Sequence, residues 1–195
     1  MGKKLSSQKI KEVALQLFAT RGYEGTSLAD IAELVGIKKS SIYNHYKNKD
    51  DLFLHIFEKS CAEELAFRKK VIENRKNGET ISLEQFVEST RNQVINNFAS
   101  LFVFRFTAFP PHHFKNELKD KINRFFEDLH ITIKNGMRLY PEYASISEEQ
   151  LVLLSSHYIL LLKGTFVDLL NHQFMDGSPL TAPAWTRFYE SDLNK

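Results

Sequence analysis

The sequence predicts an all-α protein, and three observations carry that prediction. Apolar residues recur with a helical period, as in the first stripe, which consists of Ile10, Val13, Ala14, Leu17 and Phe18. The 195 residues include only 8 Gly and 5 Pro, so few breaks separate the elements. The strict alternation that is typical of strands does not persist anywhere in the sequence. We therefore expect several short helices followed by longer ones.

Glycines end the first two predicted helices, at Gly22 and Gly36. The second helix begins after Thr26 or Ser27 as N-cap, and Asn48 is a suitable N-cap for a long fourth helix. A short third segment lies between them and starts at Lys38. The apolar period therefore predicts four helices in the first 72 residues.

Polar and proline-rich breaks divide the rest of the chain. The polar run 73–80 predicts a loop, and Ser82 with Gln85 predicts a capping box for a helix through Phe98. We expect further helices over 101–109, from about 114 to Gly136, from the capping box of Ser147 and Gln150 to about Phe174, and over 182–193.

Charge divides the chain unevenly. The net charge of +2 is the sum of +4 in residues 1–50 and −2 in residues 51–195. A basic segment on a mildly acidic body is a weak indication of a nucleic-acid partner. We place a domain boundary at residue 50, with residues 51–72 as the connecting helix of a carboxyl-terminal domain.

Several classes of protein are disfavoured. The single cysteine, Cys61, excludes an internal disulfide framework and fits a reducing cytoplasm. The adjacent His112 and His113 have no cysteine or carboxylate at ligand spacing, so we predict neither a metal nor a cofactor. No nucleophile–base constellation or phosphate-binding glycine loop is evident, and we expect that the chain is not an enzyme.

Segment 151–170 is the only one that resembles a membrane span. It carries Ser155, Ser156, His157, Lys163 and Asp168, and each charge at mid-bilayer depth costs about 2.5 kcal/mol or more. We interpret it as a helix buried in protein. Polar residues follow the basic start Lys3-Lys4 where a secretory signal would be apolar, so we expect a cytoplasmic protein.

Residues 28–47 have the spacing of a helix-turn-helix. Ala32 is small where two helices would cross, Gly36 suits the turn, and Ile42 would pack the second helix against the first. The positions left exposed carry side chains suited to phosphates and base edges, namely Lys38, Lys39, Ser40, Ser41, Asn44 and His45. The alternative is a helical hairpin with a solvated lysine face.

The flanking residues favour the first interpretation. The elements Phe18 to Gly22, Gly25-Thr26-Ser27, Ile31-Ala32, Val35-Gly36-Ile37, Ser41-Ile42-Tyr43 and His45 to Lys49, followed by Leu52, fit one pattern across residues 8–57. In these elements the chain closely resembles the amino-terminal domain of the TetR/AcrR family of bacterial transcriptional regulators. The rest of the chain is similar to the family only in length and helix pattern.

The resemblance implies an amino-terminal three-helix helix-turn-helix domain and a carboxyl-terminal helical domain for ligand binding and dimerisation. Tyr43, Lys49 and His45 resemble contacts to the DNA backbone, and Lys39, Ser40, Ser41 and Asn44 resemble positions that face base edges. Thr26 or Ser27, at the start of a helix, lies where free N–H groups attract a phosphate.

The middle of the chain is rich in phenylalanine, with nine of the 16 Phe between Phe86 and Phe126. An aromatic-lined cavity for a small molecule and an ordinary core both fit this pattern. The residues we assign to ligand binding are Phe102, Arg105, Phe106, Phe109, Phe125 and Tyr158. Alternatively, Arg105 pairs with Asp168 or Glu117, or extends over apolar surface to water.

The resemblance also implies a dimer built from the last long helices. Its predicted interface consists of His157, Leu161, Gly164, Asp168, Trp185 and Phe188, although the last two could instead complete the monomer core. Two-fold symmetry then predicts a palindromic operator in double-stranded DNA, with reading helices roughly 34 Å apart. The expected function is that of a homodimeric repressor released by a small apolar or aromatic ligand. The alternative is a ligand-binding helical protein with a non-functional DNA-binding domain.

Overall fold

The computed structural model describes residues 2–74 and 83–174, and all regular elements within these ranges are helical. The α-helices are α1 (Gly2–Arg21), α2 (Leu28–Val35), α3 (Lys39–Ile42), α4 (Lys49–Asn74), α5 (Leu83–Asn96), α6 (Phe98–Ala108), α7 (Lys115–Met137) and α8 (Glu148–Phe174). Short 3-10 turns lie at His112–Phe114 and Pro141–Tyr143. The prediction of an all-α fold is confirmed.

The predicted helix boundaries match the observed caps at several places. Gly22 and Gly36 have φ angles of 77° and 79°, the left-handed conformation in which a Cβ is costly. Asn48 Oδ1 accepts the Asp51 backbone N–H at 2.8 Å, and so caps α4. The capping box at the start of α8 is also present, with the Gln150 backbone N–H 3.2 Å from Ser147 Oγ.

The predicted boundary between α5 and α6 is wrong. We expected one helix to run through Phe98, whereas α5 ends at Asn96 and α6 begins at Phe98. The reason is Asn97, whose side-chain oxygen accepts the backbone N–H groups of Ala99 and Ser100 at 2.8 and 3.2 Å. Ser82 and the predicted helix 182–193 lie outside the described residues.

The chain forms two compact units, Met1–Glu64 with Asn97–Phe125 and Leu65–Asn96 with Phe126–Lys195. In the first unit, α1 packs against both α2 and α6. Its core centres on Phe53, which is fully buried, and the rings around Phe53 are Phe18, Tyr23, Phe57, Phe102, Phe106 and Phe114. The predicted domain boundary at residue 50 falls at the start of α4 and remains a prediction.

In the second unit, α5 packs against α8. The turn before α8 is held by Glu148, which accepts hydrogen bonds from both Lys134 and Arg138. These two bonds lower the pKa of the Glu148 carboxyl group. Close packing at the end of α7 requires Gly136, because a Cβ there would lie 2.5 Å from Ile72 Cγ2.

The segment Glu148–Asp168 of α8 is long and apolar enough to cross a membrane. Of its most apolar stretch of 18 residues, 28% is buried inside the structure. It exposes Leu153, Leu160 and Val167 by 56%, 60% and 40%. The expectation of a helix buried within the chain is therefore correct for only part of its surface. The remaining apolar surface needs another partner to leave water.

Candidate nucleic-acid interface

The helix-turn-helix of the first unit is built from three buried contacts. Ile31 and Ile42 are fully buried, Ala32 is 3% exposed, and α3 packs against α2. The turn between the helices is closed by Gly36, whose N–H donates to the Ala32 and Glu33 carbonyls, each at 3.0 Å. Burial of Ile42 fixes the rotation of α3 and therefore decides which of its side chains face outward.

Four of the six side chains predicted to face outward, Lys38, Lys39, Ser40 and Asn44, are exposed. Tyr43 is exposed as well and keeps 52% of its surface accessible. Ser41 and His45 are half-buried beside them. Two lysines, hydroxyls and an amide thus share one surface, which offers charge for phosphates and donors and acceptors for base edges. We call Lys38 to His45, without Ile42, the reading surface.

Ser27 and Thr26 have different roles at the start of α2. Ser27 is the N-cap, and it forms a capping box in which its Oγ accepts the Asp30 N–H and the Asp30 carboxylate accepts the Ser27 N–H. These bonds to Ser27 lower the pKa of Asp30. Thr26 is 1% exposed, and its hydroxyl donates to the Gly22 carbonyl at 2.9 Å. The hydroxyl of Thr26 therefore stabilises the turn, whereas Ser27 is exposed.

Lys49 uses its ammonium group in hydrogen bonds within the protein. Its Nζ donates to the Tyr23 and Thr26 carbonyls at 2.8 and 2.9 Å and lies 3.8 Å from the centre of the Tyr23 ring. Burial lowers the pKa of its ammonium group, although nearby carboxylates oppose that effect. The first α4 residue thus holds the turn between α1 and α2 in place.

Tyr23 is a structural residue that the sequence reasoning missed. Its ring stacks with Phe18 and meets Phe53 and Phe114 edge-on, while its hydroxyl donates to Asp50. Burial and the bond to Asp50 raise the pKa of this hydroxyl. An aromatic residue just after the helix-ending Gly22 is a signal that could have identified it.

His113 lies beside Tyr23. Its ring centre is 5.0 Å from that of Tyr23, and its Nε2 is 3.8 Å from Asp50 Oδ1. Within residues 2–74 and 83–174, no cluster of three His, Cys, Asp or Glu side chains is arranged to hold a metal ion.

The residues assigned to ligand binding belong to both units. Phe102 and Phe106 lie in the aromatic core around Phe53, and Phe125 is also buried. Phe109, also assigned to ligand binding, is 61% exposed because α6 ends at Ala108 and the backbone leaves the helix. Tyr158 belongs to the second unit and is half-buried.

Arg105 bonds to backbone carbonyls of α1. Instead of pairing with Asp168 or Glu117, its Nη1 donates to the Ala19 and Thr20 carbonyls at 2.9 and 3.2 Å. These carbonyls belong to the last turn of α1, where backbone acceptors lack partners within the helix. Sequence alone could not reveal this contact, since the residues are more than 80 positions apart.

The residues assigned to dimerisation are only partly outward-facing. Gly164 is exposed, with open space where a Cβ would be, whereas His157, Leu161 and Asp168 are half-buried. Among the α8 side chains described, up to Asp168, the most exposed apolar ones are Leu153 and Leu160, which the prediction left out. Their spacing of seven residues, continued by Val167, was the available signal. Trp185 and Phe188 lie outside the described residues.

The fold and the reading surface define a helix-turn-helix domain, the arrangement that many DNA-binding proteins use to read the major groove. Residues 10–56 match the family model described as bacterial regulatory proteins, tetR family. Over 45 residues, the chain is 49% identical to the biofilm operon icaADBC HTH-type negative transcriptional regulator IcaR of Staphylococcus epidermidis, a match that covers 23% of this chain and 24% of the relative. Over these amino-terminal residues, the chain is therefore similar to the TetR/AcrR family of bacterial transcriptional regulators.

Two solved structures share the fold. A TerR/AcrR-family transcriptional regulator from Aquifex aeolicus is 18% identical with a TM-score of 0.60, and the match covers 97% of this chain and 98% of that one. The regulator FadR from Bacillus subtilis, solved in complex with stearoyl-CoA, is 17% identical with a TM-score of 0.59 and coverage of 87% and 90%. The first-named curated relative, in contrast, is matched over about a quarter of its length.

The relatives named above are described as transcriptional regulators. The chain's cysteine is a poor nucleophile, because burial raises the pKa of the Cys61 thiol to about 12 and keeps it protonated near neutral pH.

Proposed function

We propose that this chain is a sequence-specific, DNA-binding transcriptional repressor that works as a homodimer in the bacterial cytoplasm. The observation that carries the proposal is the reading surface, which presents Lys38, Lys39, Ser40 and Asn44 to solvent while Ile42 anchors α3 in the core. Enrichment of duplexes from a random-sequence library by the full-length protein tests it. A palindromic consensus is the expected result, and the absence of any consensus would contradict the proposal.

Backbone phosphates are the proposed targets of Tyr43, His45, Ser27 and Lys49. Tyr43 offers an exposed hydroxyl, and Ser27 lies at the amino end of α2, where the helix dipole favours an anion. Thr26 can take part only through its backbone, since its hydroxyl is bonded within the turn.

Lys49→Ala separates the two roles of that lysine. We expect weaker binding to every DNA sequence and a salt slope smaller by about one unit, because one phosphate contact is lost. Fluorescence anisotropy between low and high salt measures both quantities. Lys49→Arg, which keeps the charge, is the matched control and should restore the slope. An unchanged salt slope in Lys49→Ala would show that Lys49 contacts no phosphate and serves only through its bonds with the Tyr23 and Thr26 carbonyls.

A second copy of the chain is the proposed partner of the exposed face of α8. Leu153, Leu160 and Val167 recur every seven residues, and Gly164 between them leaves room for a close helix approach. Half-buried Leu161, His157 and Asp168 would flank that line, with Trp185 and Phe188 as proposed additions from the carboxyl-terminal segment.

Leu160→Glu is therefore expected to separate the dimer. It would bury a carboxylate in the proposed interface between two copies of α8, and an unpaired buried charge is strongly unfavourable. Light scattering after size-exclusion chromatography measures the mass, and the variant should elute near 22.6 kDa. Leu139→Glu, at a residue that is 49% exposed elsewhere, is the control and should keep the wild-type mass. A variant at Leu160 that stays dimeric would contradict this interface.

Release from DNA by a small apolar or aromatic ligand completes the proposal. The aromatic character of α6 supports a ligand of that class, although Phe102 and Phe106 also serve the core. A ligand can shift DNA affinity only if it binds the two states differently. Native mass spectrometry of the purified protein, in which a retained molecule appears as added mass, tests this part.

A further inference from the structure

One arginine side chain of α6 contacts the carboxyl end of α1. Arg105, half-buried, places its guanidinium on the Ala19 and Thr20 carbonyls. A helix carries partial negative charge at this end, so a cation is well placed there. The planar guanidinium spans two acceptors at once, which a lysine ammonium at the same position would do less well.

The segment that Arg105 touches leads directly into the DNA-reading helices. After Gly22, the chain turns through Tyr23 and Thr26 into α2. Lys49 from α4 holds the carbonyls of this turn, while Arg105 from α6 holds the carbonyls just before it. The α1–α2 joint, defined as residues 19–26, is therefore fixed by two cations from two different helices.

Packing at the joint leaves little freedom for a different arrangement. A Cβ at Gly22 would lie 3.4 Å from Arg105 Nη2, so the guanidinium closes over the turn itself. The segment after α6 adds a second contact, because Phe114 and His113 pack on the Tyr23 ring. Since α3 packs on α2, the orientation of the reading surface follows that of the joint.

We propose that Arg105 is a positioning residue for operator recognition: its docking on the end of α1 sets the orientation in which α2 and α3 are presented to DNA. The inference rests on the proposed function, and it assigns to Arg105 a role other than ligand contact. Arg105 touches no DNA in this account. It acts through the joint, and its loss should change which operator geometry is preferred.

The test compares wild-type protein with Arg105→Ala and Arg105→Lys, and uses Arg124→Ala, an exposed arginine on α7 of the same unit, as the control. The first readout needs no DNA. Hydrogen exchange followed by mass spectrometry should show faster exchange over residues 19–26 in Arg105→Ala, an intermediate rate in Arg105→Lys and the wild-type rate in Arg124→Ala. Unchanged exchange at the joint in Arg105→Ala would overturn the proposal.

The second readout is affinity for the enriched operator and for versions whose half-sites are one or two base pairs closer or farther apart. Arg105→Ala should lose about tenfold in affinity at the preferred spacing, a typical coupling between sites, and less at the others, so that the spacing profile flattens. Arg105→Lys should recover part of the profile. An equal loss at every spacing would indicate a merely structural role and overturn the proposal, as would a wild-type profile.

The two hypotheses fail in different ways. If the wild-type protein enriches no operator, the proposed function fails, and the positioning role fails with it. If the wild-type protein binds its operator with a clear spacing preference and Arg105→Ala behaves identically, only the positioning role fails. If Arg105→Ala does not fold, as judged by circular dichroism, both measurements are made on Arg105→Lys instead. Wild-type hydrogen exchange at the joint together with a wild-type spacing profile in Arg105→Lys would then overturn the proposal.

Discussion

Phe53→Ala is expected to destabilise the protein by about 3–5 kcal/mol, the range for truncating a fully buried aromatic residue. Phe53 is 0% exposed and lies at the centre of the ring cluster, with Phe106 4.8 Å away edge-on and Phe114 stacked at 5.4 Å. The loss combines transfer of the ring to water with a cavity that its neighbours cannot fill. Chemical denaturation monitored by circular dichroism measures it.

Phe109→Ala is the matched control for this prediction. Phe109 is 61% exposed at the end of α6, so its truncation should change the free energy of unfolding by no more than about 0.5 kcal/mol. Similar losses in the two variants would contradict the assignment of Phe53 to the centre of the core. The comparison also separates the phenylalanines that build the fold from those that do not.

Lys39→Ala and Asn44→Ala are expected to change which operator is preferred. Both side chains are exposed on the reading surface, and a good contact to a base edge contributes about 1–3 kcal/mol of discrimination. Each variant should bind the enriched operator roughly 5- to 150-fold less tightly, the affinity range that corresponds to this energy. Each should also tolerate substitution at one base pair of each half-site. Competition with a panel of single-base variants of the operator measures this loss.

Lys69→Ala, an exposed lysine on α4 in the second unit, is the control for charge removal. It should leave the base preference unchanged. If Lys39→Ala and Asn44→Ala weaken binding to all duplexes by the same factor, these residues contact the backbone and do not read bases. In that case the specificity must come from other positions of the reading surface.

The first helices were predictable because local physics decides them. Gly22 and Gly36 adopt positive φ angles, Ser27 caps α2, and Ile42 is buried, each as a pattern of a few neighbouring residues indicates. The reading surface then follows from the period of the helix alone. A resemblance carried by such closely spaced residues therefore implied the right fold for this part of the chain.

The contacts across long sequence separations were not predictable. One interpretation paired Arg105 with an acidic residue, yet its guanidinium meets backbone carbonyls, which have no signature in a sequence. Lys49 likewise bonds to carbonyls of the α1–α2 joint. On α8, apolar residues occur on all sides, so the pattern alone could not determine which face is buried within one chain.

The central claim is that the reading surface recognises a specific DNA sequence. Fluorescence anisotropy of the wild-type protein on its enriched palindrome and on a scrambled duplex of the same composition, at matched salt, tests it most directly. We expect the affinity for the palindrome to exceed that for the scrambled duplex by a factor of about 10³ or more, as specific DNA-binding proteins show. Equal affinities for the two duplexes, or no binding to either at low salt, would contradict it.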